Sequence, residues 1–223
     1  LFRYRADSPA TLDLTDITIL PGQRVAILGA NGSGKSTLLK LLSGLYEPQV
    51  GSIKVDGCDI RQIHRRDLRS CVGYLGQDVR LFTGTLRSNL NADKLEYEDS
   101  RLFDALDFAG LGDFVRSNHK GLDLEIGDGL GDLSIGQRQS IGWARIWLQN
   151  PDIVLLDEPT AALDASLERA VVARFDSWLG KRTAIIATHR VPILSITNRA
   201  LVLQHGRLVL DGPCDQVLNH LSP

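Results

Sequence analysis

The sequence predicts an α/β fold with a mainly parallel central sheet and a helical insertion in its middle. Three observations carry that expectation. Apolar runs of strand length, Val25-Ala26-Ile27-Leu28, Ile153-Val154-Leu155-Leu156 and Thr183-Ala184-Ile185-Ile186-Ala187-Thr188, alternate with segments of helical periodicity. The run at 153–156 is continuously apolar, as a strand buried on both faces requires. Residues 29–37 read G-x-x-x-x-G-K-[ST] directly after one such run and before the apolar helical residues 38–42, the strand–loop–helix context that a phosphate-binding loop needs.

The elements follow in order. Phe2 and Tyr4 alternate with Arg3 and Arg5, and Leu12, Leu14, Ile17 and Ile19 continue a β-rich opening that Pro21-Gly22 breaks. After the loop and its helix, residues 51–57 read as a strand ending in an Asp56-Gly57 turn. Residues 72–75 form another short strand, ending at Gln77. Leu102, Ala105, Leu106 and Ala109 recur at helical spacing, and Phe114 and Val115 resume a helix after Gly110 and Gly112. A Gly-rich linker at 127–131 leads to Leu133 and a helix that Asn150-Pro151 stops. A helix over 165–179, the strand from Thr183, and a hairpin over 200–210 turning at Gln204-His205-Gly206 complete the chain.

The 223 residues suit one domain with sub-parts or two small ones. A net charge of −2 gives no global argument for nucleic acid, and no apolar run reaches bilayer-spanning length. No signal peptide is visible. Cys58, Cys71 and Cys214 are scattered without a C-x-x-C spacing, which fits a reducing compartment. There is no Met, and the chain opens mid-pattern. A piece cut from a longer polypeptide is expected; a processed N-terminus is the alternative.

The chemistry is that of a polyphosphate. Glycines in the loop let backbone N–H groups wrap a polyphosphate, and the helix beginning near Lys35 adds its positive dipole end. Lys35 is expected to reach the β- and γ-phosphates and Ser36 to ligate Mg²⁺. The 153–156 strand delivers Asp157 and Glu158 at its carboxyl end, where open α/β sheets hold ligands. Asp157 can face Mg²⁺, and Glu158 can act as general base toward the attacking water. His189 ends the neighbouring strand, placed to bond the γ-phosphate or to orient Glu158. Ser134 stands at a helix start, either as an anion donor or as an ordinary N-cap.

In this order the residues resemble the nucleotide-binding domain of an ABC transporter over essentially the whole chain. The resemblance implies a P-loop ABC-type core, residues 1–77 and 149–223, with an N-terminal antiparallel β subdomain. The helical subdomain would be 78–148 and carry the signature motif. Walker A matches Gly29–Thr37, with Asn31, Gly32, Ser33, Gly34, Lys35, Ser36 and Thr37 as the implied nucleotide-binding residues. Walker B ends at Asp157, followed by the catalytic-type Glu158, and His189 matches the H-loop. Gln77 matches the Q-loop, and its implied roles are to ligate Mg²⁺, sense the γ-phosphate and link to the helical insertion. Ser134, Gly136 and Gln137 lie in the signature motif, and Asp164 matches the D-loop. Tyr4 matches the aromatic that stacks on adenine, though it also reads as a plain strand aromatic. Cofactors are then ATP and Mg²⁺.

The resemblance implies a head-to-tail dimer with a second nucleotide-binding domain, expected to be another copy, with a heteromeric pair left open. Asp164 would lie at the seam. It also implies a transmembrane domain in the same full-length chain, contacted through coupling helices at a groove lined by Phe82 and Leu86 near the 127–129 linker. Such a fragment would itself be soluble and work at the cytoplasmic face of a bacterial inner membrane. Residues 76–90 are similar to type I secretion exporters, which implies a secreted protein or peptide as cargo. A lipid- or drug-type exporter cassette and a catalytically impaired regulatory cassette are the alternatives, and Ile135, which replaces a signature glycine, speaks weakly for the latter. Ser140 and Trp143 also depart from the motif, and Trp143 and Trp147, one helical turn apart, read as packing residues, with a partner-facing patch as the alternative. DNA-repair and ribosome-associated ATPases fit less well, because the chain carries neither a long coiled-coil insertion nor a second cassette.

Overall fold

The computed structural model of the chain describes residues 1–91, 96–127 and 133–221. In chain order the elements begin with β1 (Arg24–Leu28), α1 (Lys35–Leu42), β2 (Lys54–Val55), β3 (Cys58–Asp59), α2 (Arg65–Cys71) and β4 (Val72–Leu75). Next come β5 (Gly84–Thr85), α3 (Leu86–Leu90), α4 (Asp99–Phe108), α5 (Gly112–Ser117), β6 (Glu125–Ile126) and α6 (Ile135–Gln149). The chain continues through β7 (Ile153–Asp157), α7 (Ala165–Leu179), β8 (Thr183–Ala187), α8 (Val191–Leu194), β9 (Arg199–Gln204), β10 (Arg207–Pro213) and α9 (Cys214–Leu221). Two compact units result: residues 1–76, 151–158 and 179–223 form one, and residues 77–150 and 159–178 the other.

The first unit is built on a six-stranded sheet of order β10-β9-β1-β8-β7-β4. All neighbours are parallel except the β9–β10 hairpin. Alternation along β1 explains its unbroken apolar sequence: Ile27 enters one core with Leu39, Leu155 and Ile185, while Ala26 and Leu28 enter another with Ala200, Val202 and Val217. The hairpin turns at His205 and Gly206, both left-handed, as a two-residue loop of primed type requires. Asp56 and Gly57 make the same kind of turn between β2 and β3, so the expected turn is present on strands of only two residues.

The opening segment departs from expectation. Leu12 is buried and Leu14 and Ile19 pack against the same core, so the inward alternation is real. Yet the antiparallel character there is limited to the Phe2–Leu12 bridge and the β2–β3 pair. Residues 13–21 form no strand. An extended chain becomes a strand only when a second chain accepts its backbone bonds, and among the described residues 13–21 none supplies a ladder.

In the second unit α4 packs on α6, and Leu102, Ala105, Leu106 and Ala109 are all fully buried, as their spacing demands. Trp143 is fully buried too, its ring 4.9 Å from Phe175 and its Nε1 donating to Pro159 O at 2.9 Å. Left-handed Asn150 ends α6, where the sequence places the stop. No helix among the described residues is long and apolar enough to cross a membrane.

Candidate functional site

One row of the sheet collects the first unit's chemistry. Ala187 pairs with Ile27 on one side and with Asp157 on the other. The carboxyl ends of β1, β8 and β7 therefore stand level, and each runs straight into a predicted motif. From β1 the chain enters the loop at Gly29, whose backbone takes φ +144°; a Cβ there would lie 2.2 Å from Leu203 O. Gly34 caps α1 in a left-handed conformation and brings no side-chain hydrogen bond to the helix start. The first N–H groups of α1 thus keep their capacity for an anion. Ser33 Oγ is buried without a hydrogen-bond partner, an additional polar atom suited to phosphate. Lys35 Nζ reaches back across the loop to Gly29 O (2.7 Å) and Ala30 O (3.1 Å). Asn31 and Gly32 form the exposed outer bend of the loop.

Ser36 Oγ donates to Asp157 Oδ1 at 3.0 Å, so the two expected metal ligands already touch. Burial pushes the Asp157 carboxyl above its ordinary range, the Ser36 hydrogen bond opposes that, and the Glu158 charge adds to the rise. Hydroxyl and carboxylate together form a hard, all-oxygen donor set of the kind Mg²⁺ takes, and a dication would offset the cost of the buried carboxylate. The residues present therefore fit the group.

Glu158 is where strand alternation alone misleads. It is a non-glycine residue at φ +47°, held by its N–H to Ala187 O at 2.8 Å. This left-handed step, costly for a glutamate, turns the carboxylate out of the strand direction so that Oε1 sits 2.9 Å from His189 Nδ1. The Glu158 side chain is 13% exposed and that of His189 79%. Nothing in the sequence marks this conformation. Tyr4 lies outside any strand, 52% exposed, with its hydroxyl 3.0 Å from Thr37 Oγ1 on α1.

The second unit holds the other predicted residues. Ser134 caps α6: its Oγ accepts from Gln137 N (3.1 Å), and Gln137 Oε1 accepts from Ser134 N (2.9 Å). This reciprocal box is the N-cap alternative in full. Ile135 is 75% exposed. Gly136 has a packing reason of its own, since a Cβ there would meet Ala162 O at 2.8 Å. Asp164 caps α7 through Oδ1, accepting from Ser166 N and Leu167 N, and these backbone bonds lower its pKa. Gln139, which the sequence reading passed over, is buried and accepts from Ala162 N at 2.9 Å, tying α6 to the segment before α7. Thr160 and Glu168 form a second buried pair at 2.7 Å that no motif announces. Gln77 is exposed, two residues beyond β4.

A further expectation is corrected. Phe82 is 60% exposed, but Leu86, expected beside it on a groove, is buried, because the Thr85–Ser88 capping box turns the first residue of α3 inward. Of the 127–129 linker only Gly127 falls within the described residues.

A phosphate loop, a Ser–Asp pair and a Glu–His pair at one edge of a parallel sheet define a P-loop ATPase. The profile of the ABC transporter family matches residues 12–161. The chain is 37% identical over 218 residues to ATP-binding cassette sub-family B member 6 of Mesocricetus auratus, covering 98% of this chain and 26% of that protein. It is 37% identical over 221 residues to an ATP-dependent lipid A-core flippase of Ralstonia nicotianae, covering 98% and 37%. Among solved structures, that of a bacterial Atm1-family ABC exporter with ATP bound matches at a TM-score of 0.92 and 32% identity, over 99% of this chain and 39% of the other. The chain belongs to the ABC transporter family, as an exporter-type ATP-binding domain with the family's P-loop fold. It spans roughly a quarter to two fifths of these relatives' lengths.

Proposed function

We propose that this domain binds Mg-ATP at residues 31–37 with Tyr4 and Asp157, and hydrolyses it to drive an exporter. Glu158 is the general base and His189 its partner. The Glu158–His189 contact at 2.9 Å carries the reading, because it fixes one carboxylate oxygen while the left-handed backbone sets where the group points. A carboxylate so held can take the proton of an attacking water. Lys35 neutralises charge on the terminal phosphates, and the α1 N–H groups hold them in place. Mg²⁺, when bound by Ser36 and Asp157, would supply further neutralisation of the phosphate oxygens. Tyr4 offers its exposed ring to the adenine.

The active species is a head-to-tail pair with a second cassette, a copy of this chain in the simplest case. Ser134, Gly136, Gln137 and Asp164 complete the partner's site. The longer protein adds a transmembrane domain and works at the cytoplasmic face of a bacterial inner membrane.

For cargo, the alternative reading is favoured. One similar protein is named a lipid A-core flippase, and the similar structure is an Atm1-family exporter. These favour a lipid- or drug-type substrate over a secreted protein.

The test is Glu158→Gln. It binds ATP, accumulates as a dimer and turns over about 10²–10⁴-fold more slowly. Parental turnover in that variant removes Glu158 from the role of base.

A further inference from the structure

The segment that carries Tyr4 owes little to the sheet. Phe2 bridges Leu12 on one side. The other side is gripped by the chain leaving α1. Gln49 Oε1 accepts from Arg3 N at 2.9 Å while its Nε2 donates to Arg3 O at 2.8 Å, so one amide side chain does the work of a neighbouring strand. Gln49 N also donates to Leu1 O at 3.0 Å. Three residues earlier, Tyr46 meets the Tyr4 ring edge to face, 5.6 Å between centroids at 89°. Phe2 meets Tyr4 at 5.1 Å and 83°. Two perpendicular neighbours set the plane of the Tyr4 ring, and the hydroxyl bond to Thr37 pins its far end.

Tyr46 is placed by the end of α1 itself. Gly44, left-handed, lets Leu45 N bond back to Lys40 O at 3.0 Å, a closing turn that directs the next residue toward Tyr4. One helix therefore carries the phosphate-binding turn at its start and the holder of the aromatic ring at its end.

We propose that Tyr46 and Gln49 are positioning residues for the nucleobase: they index the Tyr4 ring to the helix that binds phosphate and so set the preference for an adenine-bearing triphosphate over a bare one. This rests on the ATP site proposed above. The tests are calorimetric titrations of the chain with ATP and with inorganic tripolyphosphate, both in EDTA, with circular dichroism to establish folding. Tyr46→Ala and Gln49→Ala each weaken ATP binding about two- to tenfold, the worth of one aromatic pair, and leave tripolyphosphate binding unchanged; Tyr46→Phe restores the parental ratio. Should Tyr46→Ala not fold, Gln49→Ala carries the test. Equal losses for both ligands, or no loss for ATP, overturn the proposal. Tyr4→Ala separates the two levels. If it leaves the ligand ratio unchanged, base stacking at Tyr4 is wrong and this inference falls with it. If it lowers the ratio while Tyr46→Ala and Gln49→Ala do not, this inference alone is wrong.

Discussion

At the scale of single residues, the site trades stability for charge. Burial and the neighbouring Glu158 hold the Asp157 carboxyl above its ordinary pKa of 3.8, against the Ser36 hydrogen bond. A folded pKa above the unfolded one means that the folded chain binds the proton more tightly. Stability therefore declines as pH rises from 3.8 through the folded value, and at neutral pH the buried anion is a net cost. Asp157→Asn keeps an acceptor for Ser36 and removes that cost. Without nucleotide it should melt a few degrees higher than the parent at pH 7, with the gap closing in acid; a lower melting temperature at pH 7 contradicts the argument. Ile135 makes a second case. It is a β-branched apolar side chain, largely in water, at the first position of α6. If it stands between the signature and the partner's nucleotide, Ile135→Gly raises ATPase turnover while changing stability by no more than about 1 kcal/mol. Unchanged turnover removes Ile135 from the interface.

At the scale of elements, α6 shows how one sequence pattern serves two ends. The Ser134–Gln137 box satisfies helix N–H groups that would otherwise need water or a ligand. Ser134→Ala should cost about 1 kcal/mol in urea unfolding whatever its role toward nucleotide. Gly136→Ala should cost about 1–3 kcal/mol, because the added methyl presses on the Ala162 carbonyl, a backbone atom unable to swing away. A loss below 0.5 kcal/mol there, an estimate on the same overpacking scale, would mean that the 161–164 segment yields freely. Only some helices were legible: 165–179 from its periodicity, and the end at Asn150 from its turn chemistry, whereas α2, α3, α8 and α9 carry too short a periodic signal and the sequence reading does not contain them. The tie between Gln139 and Ala162 was not, because a buried glutamine at a helical position carries no signal of its partner.

At the scale of the whole molecule, the sheet order does the organising. Strands far apart in sequence, at 24–28, 153–157 and 183–187, become neighbours, and the shared row Ile27–Ala187–Asp157 brings their carboxyl ends to one level. In the proposed head-to-tail pair, the signature and Asp164, which belong to the second unit, complete the partner's site. ATPase rate per milligram should therefore rise with chain concentration until dimers predominate. A rate strictly proportional to concentration over the dimerisation range argues for a self-sufficient monomer.

By itself the sequence determined the fold class, the phosphate loop and the order of the motifs, because those rest on local periodicity and on residue types that few other arrangements tolerate. Tertiary structure alone decided the left-handed turn at Glu158, the contact it makes with His189, the inward turn of Leu86 and the absence of a ladder at 13–21. Each of these depends on which backbone or side chain arrives from a distant part of the chain. Hydrophobic period and motif spacing record what a segment prefers, not which neighbour meets it.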